Sequence, residues 1–264
     1  MEIVQNFIPT IKFDSRGGHN RYKCNFSFFE KWTDSMAYVL GFLYADGTII
    51  DAISSRTQYV KFTSIDREII EKIKMAIGTN SPIYVCPPKI ITHINGRYKS
   101  KESFALRIGN RRMFNNLICL GLVPNKSKVI EFPNIPLDYL NHFVRGYFDG
   151  DGCLYLQTAR GISNSAIVKK LSVIFTSGSL IFLKKLSKVL KTQLILGNEN
   201  IYISQRAFQL RYSMKDSLKI FKFLYKSCSK KLCLRRKFDI FSNYFKFCPQ
   251  KIDMEINSIF KNLS

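Results

Sequence analysis

Three short words occur twice along this chain, in the same order and nearly the same register. Gly41-Phe-Leu-Tyr-Ala-Asp46-Gly47 is answered by Gly146-Tyr-Phe-Asp-Gly-Asp151-Gly152. Val60-Lys-Phe-Thr-Ser64 is answered by Val173-Ile-Phe-Thr-Ser177, and Phe104-Ala-Leu-Arg107 by Phe208-Gln-Leu-Arg211. The distance from the acid to the last word is 58 residues in the first copy and 57 in the second. One such match is within reach of chance, but three in register mark a duplicated chain, and a repeat constrains architecture before any local pattern does. The expected organisation is an N-terminal extension over residues 1–32, a first half over 33–130 and a second over 131–264.

Residues 124–136 separate the halves, because Pro124, Pro133 and Pro136 forbid a continuing helix or central strand. Within each half, helix and strand signals alternate. A helix leads into each acidic word, from about Thr33 to Asp46 and from about Pro136 to Asp151. Thr33 or Asp34 suits the first as a cap, and Pro136 suits the first turn of the second. Period-two stretches follow: Val60 and Phe62 oppose Lys61 and Thr63, while Phe208, Leu210 and Tyr212 oppose Gln209 and Arg211. An amphipathic helix carries Ile69, Ile70, Ile73 and Ile77 and closes at Gly78, and its counterpart runs roughly over Ser179–Leu190. Further helices are expected near Arg111–Leu120 and Lys215–Tyr225, with a last helix marked by Phe238, Phe241 and Phe245. Each half therefore reads as an α+β unit. One sheet face packs on helices and the other carries polar and basic side chains.

The 264 residues hold 41 Lys and Arg against 19 Asp and Glu, a formal charge of +22. Such a surplus makes a polyanion the expected partner, with nucleic acid ahead of an anionic membrane. The apolar run Met36–Ala45 is too short to span a bilayer, which takes about 20 residues. The first residues, MEIVQNFIPT, lack the basic and apolar stretches of a secretory signal. Seven cysteines, odd in number and without a CxxC pair, read as reduced thiols of an intracellular protein. His19, His93 and His142 are scattered, which excludes zinc fingers, HxE deaminase sites and a nuclease built on a histidine base. A P-loop is absent as well.

The acidic words carry the chemistry. Gly41 and Ala45 share one helix face, as do Gly146 and Gly150. Small residues at that spacing let two helix backbones approach closely. Packed together, the helices would bring Asp46 and Asp151 to one end of the seam. There the carboxylates meet the partial negative charge of two helix C-termini and each other, so a positive group must compensate. Hard oxygen donors and a polyanionic partner favour Mg²⁺, which can activate water and stabilise a departing oxygen in phosphodiester hydrolysis. Asp149 lies about 200° round the helix from Asp151, and the first copy has Tyr44 there.

Val39-Leu-Gly-Phe-Leu-Tyr-Ala-Asp-Gly47 and Val144-Arg-Gly-Tyr-Phe-Asp-Gly-Asp-Gly152 resemble the two motifs of a single-chain LAGLIDADG homing endonuclease. The resemblance covers about residues 33–245, including GLVPNKS at 121–127 and LRRK at 234–237. It implies a pseudo-twofold αββαββα pair with two antiparallel, saddle-shaped sheets and helices on one face. It also implies a monomer that straddles double-stranded DNA and cuts both strands across the minor groove with Mg²⁺. On that resemblance Asp46 and Asp151 are metal ligands and catalytic acids, and the carbonyls of Ala45 and Gly150 are further ligands. Lys126 matches a basic position near the site. Arg235 would be its counterpart, with Lys237 nearby. An arginine there could stabilise phosphate charge but not act as a base. Ser64 and Ser177 fall where relatives hold a water-organising residue, and each also suits a cap of the following helix. Arg145, unusual on a packed helix, is expected to face outward.

Candidate DNA contacts on the outward sheet faces are Arg56, Gln58, Lys61, Arg97, Lys99 and Arg107 in the first half. In the second they are Gln157, Arg160, Lys169, Gln205, Gln209 and Arg211. Arginine can pair with guanine and glutamine with adenine, while any one of them equally suits a phosphate. The leading function is a sequence-specific DNA endonuclease. The alternatives are an RNA-binding intron maturase and a non-cleaving DNA-binding regulator, and the retained acids speak for cleavage. The wealth of Lys, Ile, Phe and Asn fits an AT-rich organellar, bacterial or phage genome.

Overall fold

The computed structural model describes residues 22–52, 57–93, 96–160, 166–197, 200–204 and 207–263. Each acidic word ends a helix that turns directly into a strand. Helix α1 (Asp34–Asp46) starts where Thr33 Oγ1 accepts the Met36 amide at 3.1 Å, which satisfies one orphan donor of the first turn. It is followed by β1 (Gly47–Ala52) and β2 (Thr57–Ser64). Helix α2 (Arg67–Ile77) then buries Ile69, Ile70, Ile73 and Ile77 and ends at Gly78, whose φ of 68° is the left-handed value glycine tolerates. The half closes with β3 (Ile83–Cys86), β4 (Ile90–His93), β5 (Gly96–Lys99), β6 (Ser103–Gly109) and α3 (Arg111–Cys119).

The second half repeats the plan with α4 (Leu137–Asp151), β7 (Gly152–Arg160), β8 (Ala166–Ser177), α5 (Leu180–Leu194), β9 (Asn200–Ser204), β10 (Ala207–Arg211) and α6 (Met214–Tyr225). The sheets are antiparallel and equivalent, in the orders β1-β2-β6-β3 and β7-β8-β10-β9. Their registers coincide too: Gly47 lies opposite Phe62, and Gly152 opposite Phe175. The architecture is the expected α+β duplication. In addition, β4 and β5 form a separate two-stranded ribbon between β3 and β6.

The glycine seam forms as the spacing requires. A β-carbon at Gly41 would land on the carbonyl oxygen of Phe143, and one at Gly146 on that of Tyr38. At Gly150 it would press into the Ala45 side chain and lie 3.6 Å from Asp46 Oδ2. Only glycine permits this backbone contact between α1 and α4. Around it runs one continuous core shared by both halves.

Several features differ from the sequence reading. Arg145 does not face outward. It is 2% exposed, donates from Nη1 to the Leu224 carbonyl at 2.9 Å and from Nε to the Leu232 carbonyl at 3.3 Å, and lies over the Tyr38 ring. Carbonyls at the end of α6 and in the following loop thus solvate the buried guanidinium. Helix α7 (Arg235–Phe247) is not the last. Helix α8 (Met254–Leu263) follows and packs Phe260 against Phe221, Phe238 and Phe245. Ser64 and Ser177 are not helix caps. Each accepts the amide two residues on, at 3.1 Å, and so braces the turn that precedes α2 or α5. Phe29, in the segment expected to lie over the surface, is fully buried, and neighbouring Glu30 pairs with Arg112. No helix among the described residues is long and apolar enough to cross a membrane.

Candidate active site and nucleic-acid face

Because α1 and α4 touch backbone to backbone, their C-terminal ends meet, and Asp46 and Asp151 are close enough to interact. Burial, and then the facing Asp46, push the Asp151 carboxyl up to about 6. Burial also raises Asp46, against the pull of Lys237 and Lys126. Asp46 nevertheless keeps an exposed surface. It sits among many protein atoms yet opens onto a cavity of about 340 Å³ lined also by Thr63, Ser64, Asp66, Asp149 and Arg236.

Two buried lysines supply part of the positive charge that paired helix ends and carboxylates demand. Lys126, in a short 3-10 turn, is 8% exposed and donates to the Ala45 carbonyl at 2.8 Å. Lys237, in the first turn of α7, is 4% exposed and donates to the carbonyls of Asp149 at 2.8 Å and Gly150 at 3.2 Å, as well as to that of Phe148. Burial lowers both lysines, and the aspartates oppose the shift: Asp151 and Asp46 for Lys126, chiefly Asp149 for Lys237. Each ammonium therefore covers orphan carbonyls at one helix terminus.

Lys237, rather than Arg235, stands where Lys126 stands in the other half. Arg235 pairs with Asp239 at 2.9 Å, donates to the Leu263 carbonyl at 2.7 Å and lies over the Phe238 ring. Two residues apart on a helix means about 200° of rotation, so one residue of this pair points to the site and the other to α8. Ser64 lines the cavity, while Ser177 is buried in its turn. The residue two places before each motif aspartate fastens the segment that carries the lysine. Tyr44 donates to the Leu120 carbonyl at 2.7 Å, at the end of α3. Asp149 accepts from the Leu234 amide at 2.9 Å and from Tyr38 Oη at 2.6 Å. Sequence reasoning also missed Asp66 and Arg236, which line the cavity and pair at 2.9 Å. Only the position of Arg236 within LRRK hinted at it.

The lysine-bearing segments are held across the molecule. A β-carbon at Gly178, in the second half, would land on the Ser127 carbonyl next to Lys126. Phe132 of the same connector packs on Phe143 and Phe182. Reciprocally, Lys72 of α2 donates to the Cys233 carbonyl at 2.8 Å, and Asp66 pairs with Arg236 beside Lys237.

A cage of three or more His, Cys, Asp or Glu side chains is absent among the described residues. Asp46 lines the cavity and Asp151 feels its charge, and two such carboxylates are the donor set of a cation that keeps several waters and takes its remaining ligands from substrate phosphates. Raised carboxyls facing one another are what such a cation would relieve. The side chains of Asp46 and Asp151 thus fit a hard divalent ion. The carbonyls of Ala45 and Gly150 already accept from Lys126 and Lys237.

On the outward sheet faces, Lys61 and Arg107 lie abreast, and Arg107 sits over the Tyr59 ring at 3.6 Å. In the second half Arg211 donates to Gln209 at 2.6 Å and lies over the Tyr202 ring at 4.9 Å. Arg97 and Lys99 are exposed on the β4–β5 ribbon, and Gln157 is exposed on β7. Two expectations need correction. Gln58 shares the strand phase of buried Val60 and Phe62, so it belongs to the opposite face from Lys61. Lys169 is the extra residue of a bulge: Gln157 pairs with Lys170 and Thr158 with Val168, so Lys170 flanks Gln157. Arg56 and Gln205 lie outside the described residues, as does the Arg160 side chain.

No protein-family model matches the sequence, and no curated protein matches it. Solved structures do match in fold. One is the homing endonuclease I-WcaI bound to its DNA recognition sequence, at a TM-score of 0.57 and 15% identity over 80% of this chain and 88% of that one. The I-LtrWI LAGLIDADG homing endonuclease bound to target DNA gives 0.52 and 14% over 90% and 97%. The LAGLIDADG homing endonuclease I-GzeII in complex with its DNA target gives 0.50 and 15% over 88% and 97%. A duplicated α+β chain whose two motif helices meet at paired acids is the class that fold and site define. The fold is that of the LAGLIDADG homing endonucleases.

Proposed function

We propose that this protein is a sequence-specific DNA endonuclease that cuts both strands with a divalent cation, Mg²⁺ by preference. The observation that carries the reading is the pairing of Asp46 with Asp151 at the glycine-lined helix ends, each accompanied by a buried lysine. Asp46 and Asp151 would hold the cation, whose chemistry is to lower the pKa of bound water and stabilise charge on the departing oxygen. Lys126 and Lys237 keep positive charge beside the scissile phosphates and hold the two helix ends in place. Thr63 and Ser64 line the floor on which a water can be ordered. The outward faces, with Lys61, Arg107, Gln209 and Arg211, grip the duplex on either side.

A non-cleaving regulator has no use for two facing carboxylates that each destabilise the other, and their retention favours cleavage. The test is selection from a randomised duplex library for cut products in Mg²⁺, followed by Asp46→Asn and Asp151→Asn on the selected target. Each substitution should abolish cutting and leave target binding within a few-fold. Full cleavage by either variant would remove the assigned roles.

A further inference from the structure

The two halves differ at one corner of the site. In the second half, Ser179 follows Ser177 by two residues, is buried, and caps α5 by accepting the Phe182 amide at 3.3 Å. In the first half Asp66 holds the same place after Ser64 and ahead of α2, yet its side chain makes no cap hydrogen bond. It reaches across to the other half and accepts from Arg236, Nη2 at 2.9 Å and Nε at 3.3 Å. Arg236 immediately precedes Lys237, whereas the residue preceding Lys126 is Asn125, which is exposed and has a φ of 55°. One side of the paired acids therefore carries a guanidinium held by a carboxylate, and the matching positions on the other side carry an asparagine and a serine.

Stability does not explain the pair. A capping side chain stabilises a helix start, and Asp66 forgoes that bond for an ion pair whose side chains are 23% and 54% exposed. A pair so well hydrated adds little to stability. Lys72 already fastens the same segment at the Cys233 carbonyl. What the pair does achieve is to hold a cation in the wall of the cavity onto which Asp46 opens, beside Thr63 and Ser64. Burial first, and then the Arg236 charge, lower Lys237, so the guanidinium acts at the site and not only at its rim. A guanidinium has five donors in a fixed fork, more than one carboxylate uses. Arg236 can therefore keep Asp66 while it donates to two oxygens of a phosphate.

We infer that Arg236 is a catalytic residue for one strand only: it grips the scissile phosphate that enters this cavity, with Asp66 as its positioning residue, so that the two strands are cut at different rates. The inference rests on the endonuclease reading and adds an order of cutting to it. In the hydrolysis a water oxygen bonds to phosphorus and the bond from phosphorus to a deoxyribose oxygen breaks. The departing oxygen keeps the electron pair and gains the proton that the water gives up. Negative charge grows meanwhile on the oxygens around phosphorus, and a donor already fixed in place stabilises it. The scissile phosphate of the complementary strand faces the corner of Asn125 and Ser179, where the two equivalent positions carry no charge.

The test uses the full chain and a duplex target selected by binding, labelled separately on each strand. In Mg²⁺ the unsubstituted protein should cut one strand faster than its complement. Arg236→Gln should slow that strand about 100-fold at saturating protein and leave the other within a few-fold. Arg236→Lys should recover part of the rate, and Asp66→Asn should slow the same strand by a smaller factor. Arg236 is exposed, and urea midpoints check that the fold is kept. A second readout needs no cutting: in chelator, a methylphosphonate that removes the charge of the central phosphate in the preferred strand should weaken binding about tenfold, and Arg236→Gln should erase that penalty. Equal slowing of both strands by Arg236→Gln, no slowing of either, or a methylphosphonate penalty that survives the substitution would overturn the inference while cutting by the unsubstituted protein upholds the endonuclease reading. No cutting at all, with a methylphosphonate penalty in one strand that still depends on Arg236, would sink the endonuclease reading and keep the one-sided phosphate contact.

Discussion

Tyr44 and Asp149 occupy the same place, two residues before a motif aspartate, and each ties down the chain segment that delivers a lysine to the site. Tyr44 does so as a donor to the Leu120 carbonyl, Asp149 as an acceptor from the Leu234 amide. Removing either bond should loosen one lysine and spare the other. Tyr44→Phe should cost about 1–2 kcal/mol of stability and slow the cut on one strand more than on its complement. Asp149→Asn should bias the other strand. Strand-specific end labels on a selected target read both rates, and equal slowing of the two strands by each variant would refute the arrangement.

The helix seam predicts a sharp contrast between glycines. Gly146→Ala drives a methyl into the Tyr38 carbonyl, and overpacking a contact that cannot relax costs about 3 kcal/mol or more. Gly78→Ala meets open space and suffers only from its positive φ, at a cost of about 1 kcal/mol. Urea midpoints for the two variants should differ accordingly. Similar midpoints would show that the seam is looser than the contact implies.

Arg145 is predicted to be a structural residue. Replacing it by methionine removes the guanidinium from the Leu224 carbonyl and leaves the Leu232 carbonyl with only the Cys228 thiol as donor, and should destabilise the protein by about 3 kcal/mol. Thermal unfolding in the absence of nucleic acid measures this directly. A variant as stable as the parent would mean that water replaces the guanidinium.

The pH dependence follows from Asp151. Its folded-state pKa of about 6 lies above the unfolded value, which is about 3.9. The native state therefore holds a proton that the unfolded state releases. The stabilising contribution is complete below about pH 4 and is lost as pH rises through about 6. Metal-free wild type should thus fall behind Asp151→Asn by about 1–2 kcal/mol, screening included, between about pH 4.5 and 7. Added Mg²⁺ should narrow the gap by binding only the folded wild-type pair. Denaturant titrations in chelator at several pH values provide the check. A gap that stays constant with pH would show that the carboxyl is not perturbed.

The duplication, the strands with period two and the small-residue face of each motif helix were all legible, because each is a local pattern with one physical solution. Arg145 was not, since its acceptors come from residues 224 and 232, far along the chain. The choice between Arg235 and Lys237 turns on the rotational phase of α7, which begins at a residue pinned by Asp149. No local signal encodes that phase. Lys169 and Lys170 exchange places through a bulge, and Gln58 required the strand phase to be counted from its buried neighbours. Helix α8 carried a readable signal in Ile256, Ile259 and Leu263, which are buried at helical spacing.

The brace between Gly178 and Ser127, and its mirror between Lys72 and Cys233, bear on how such a chain could be rebuilt. Each half receives its lysine through a tether seated on the opposite half, so a chimera joined at the midpoint would inherit a motif from one parent and the mooring of its lysine from the other. Interchange of recognition modules should succeed only when residues 124–136 travel with the corner at 177–179, and residues 232–237 with that at 64–72.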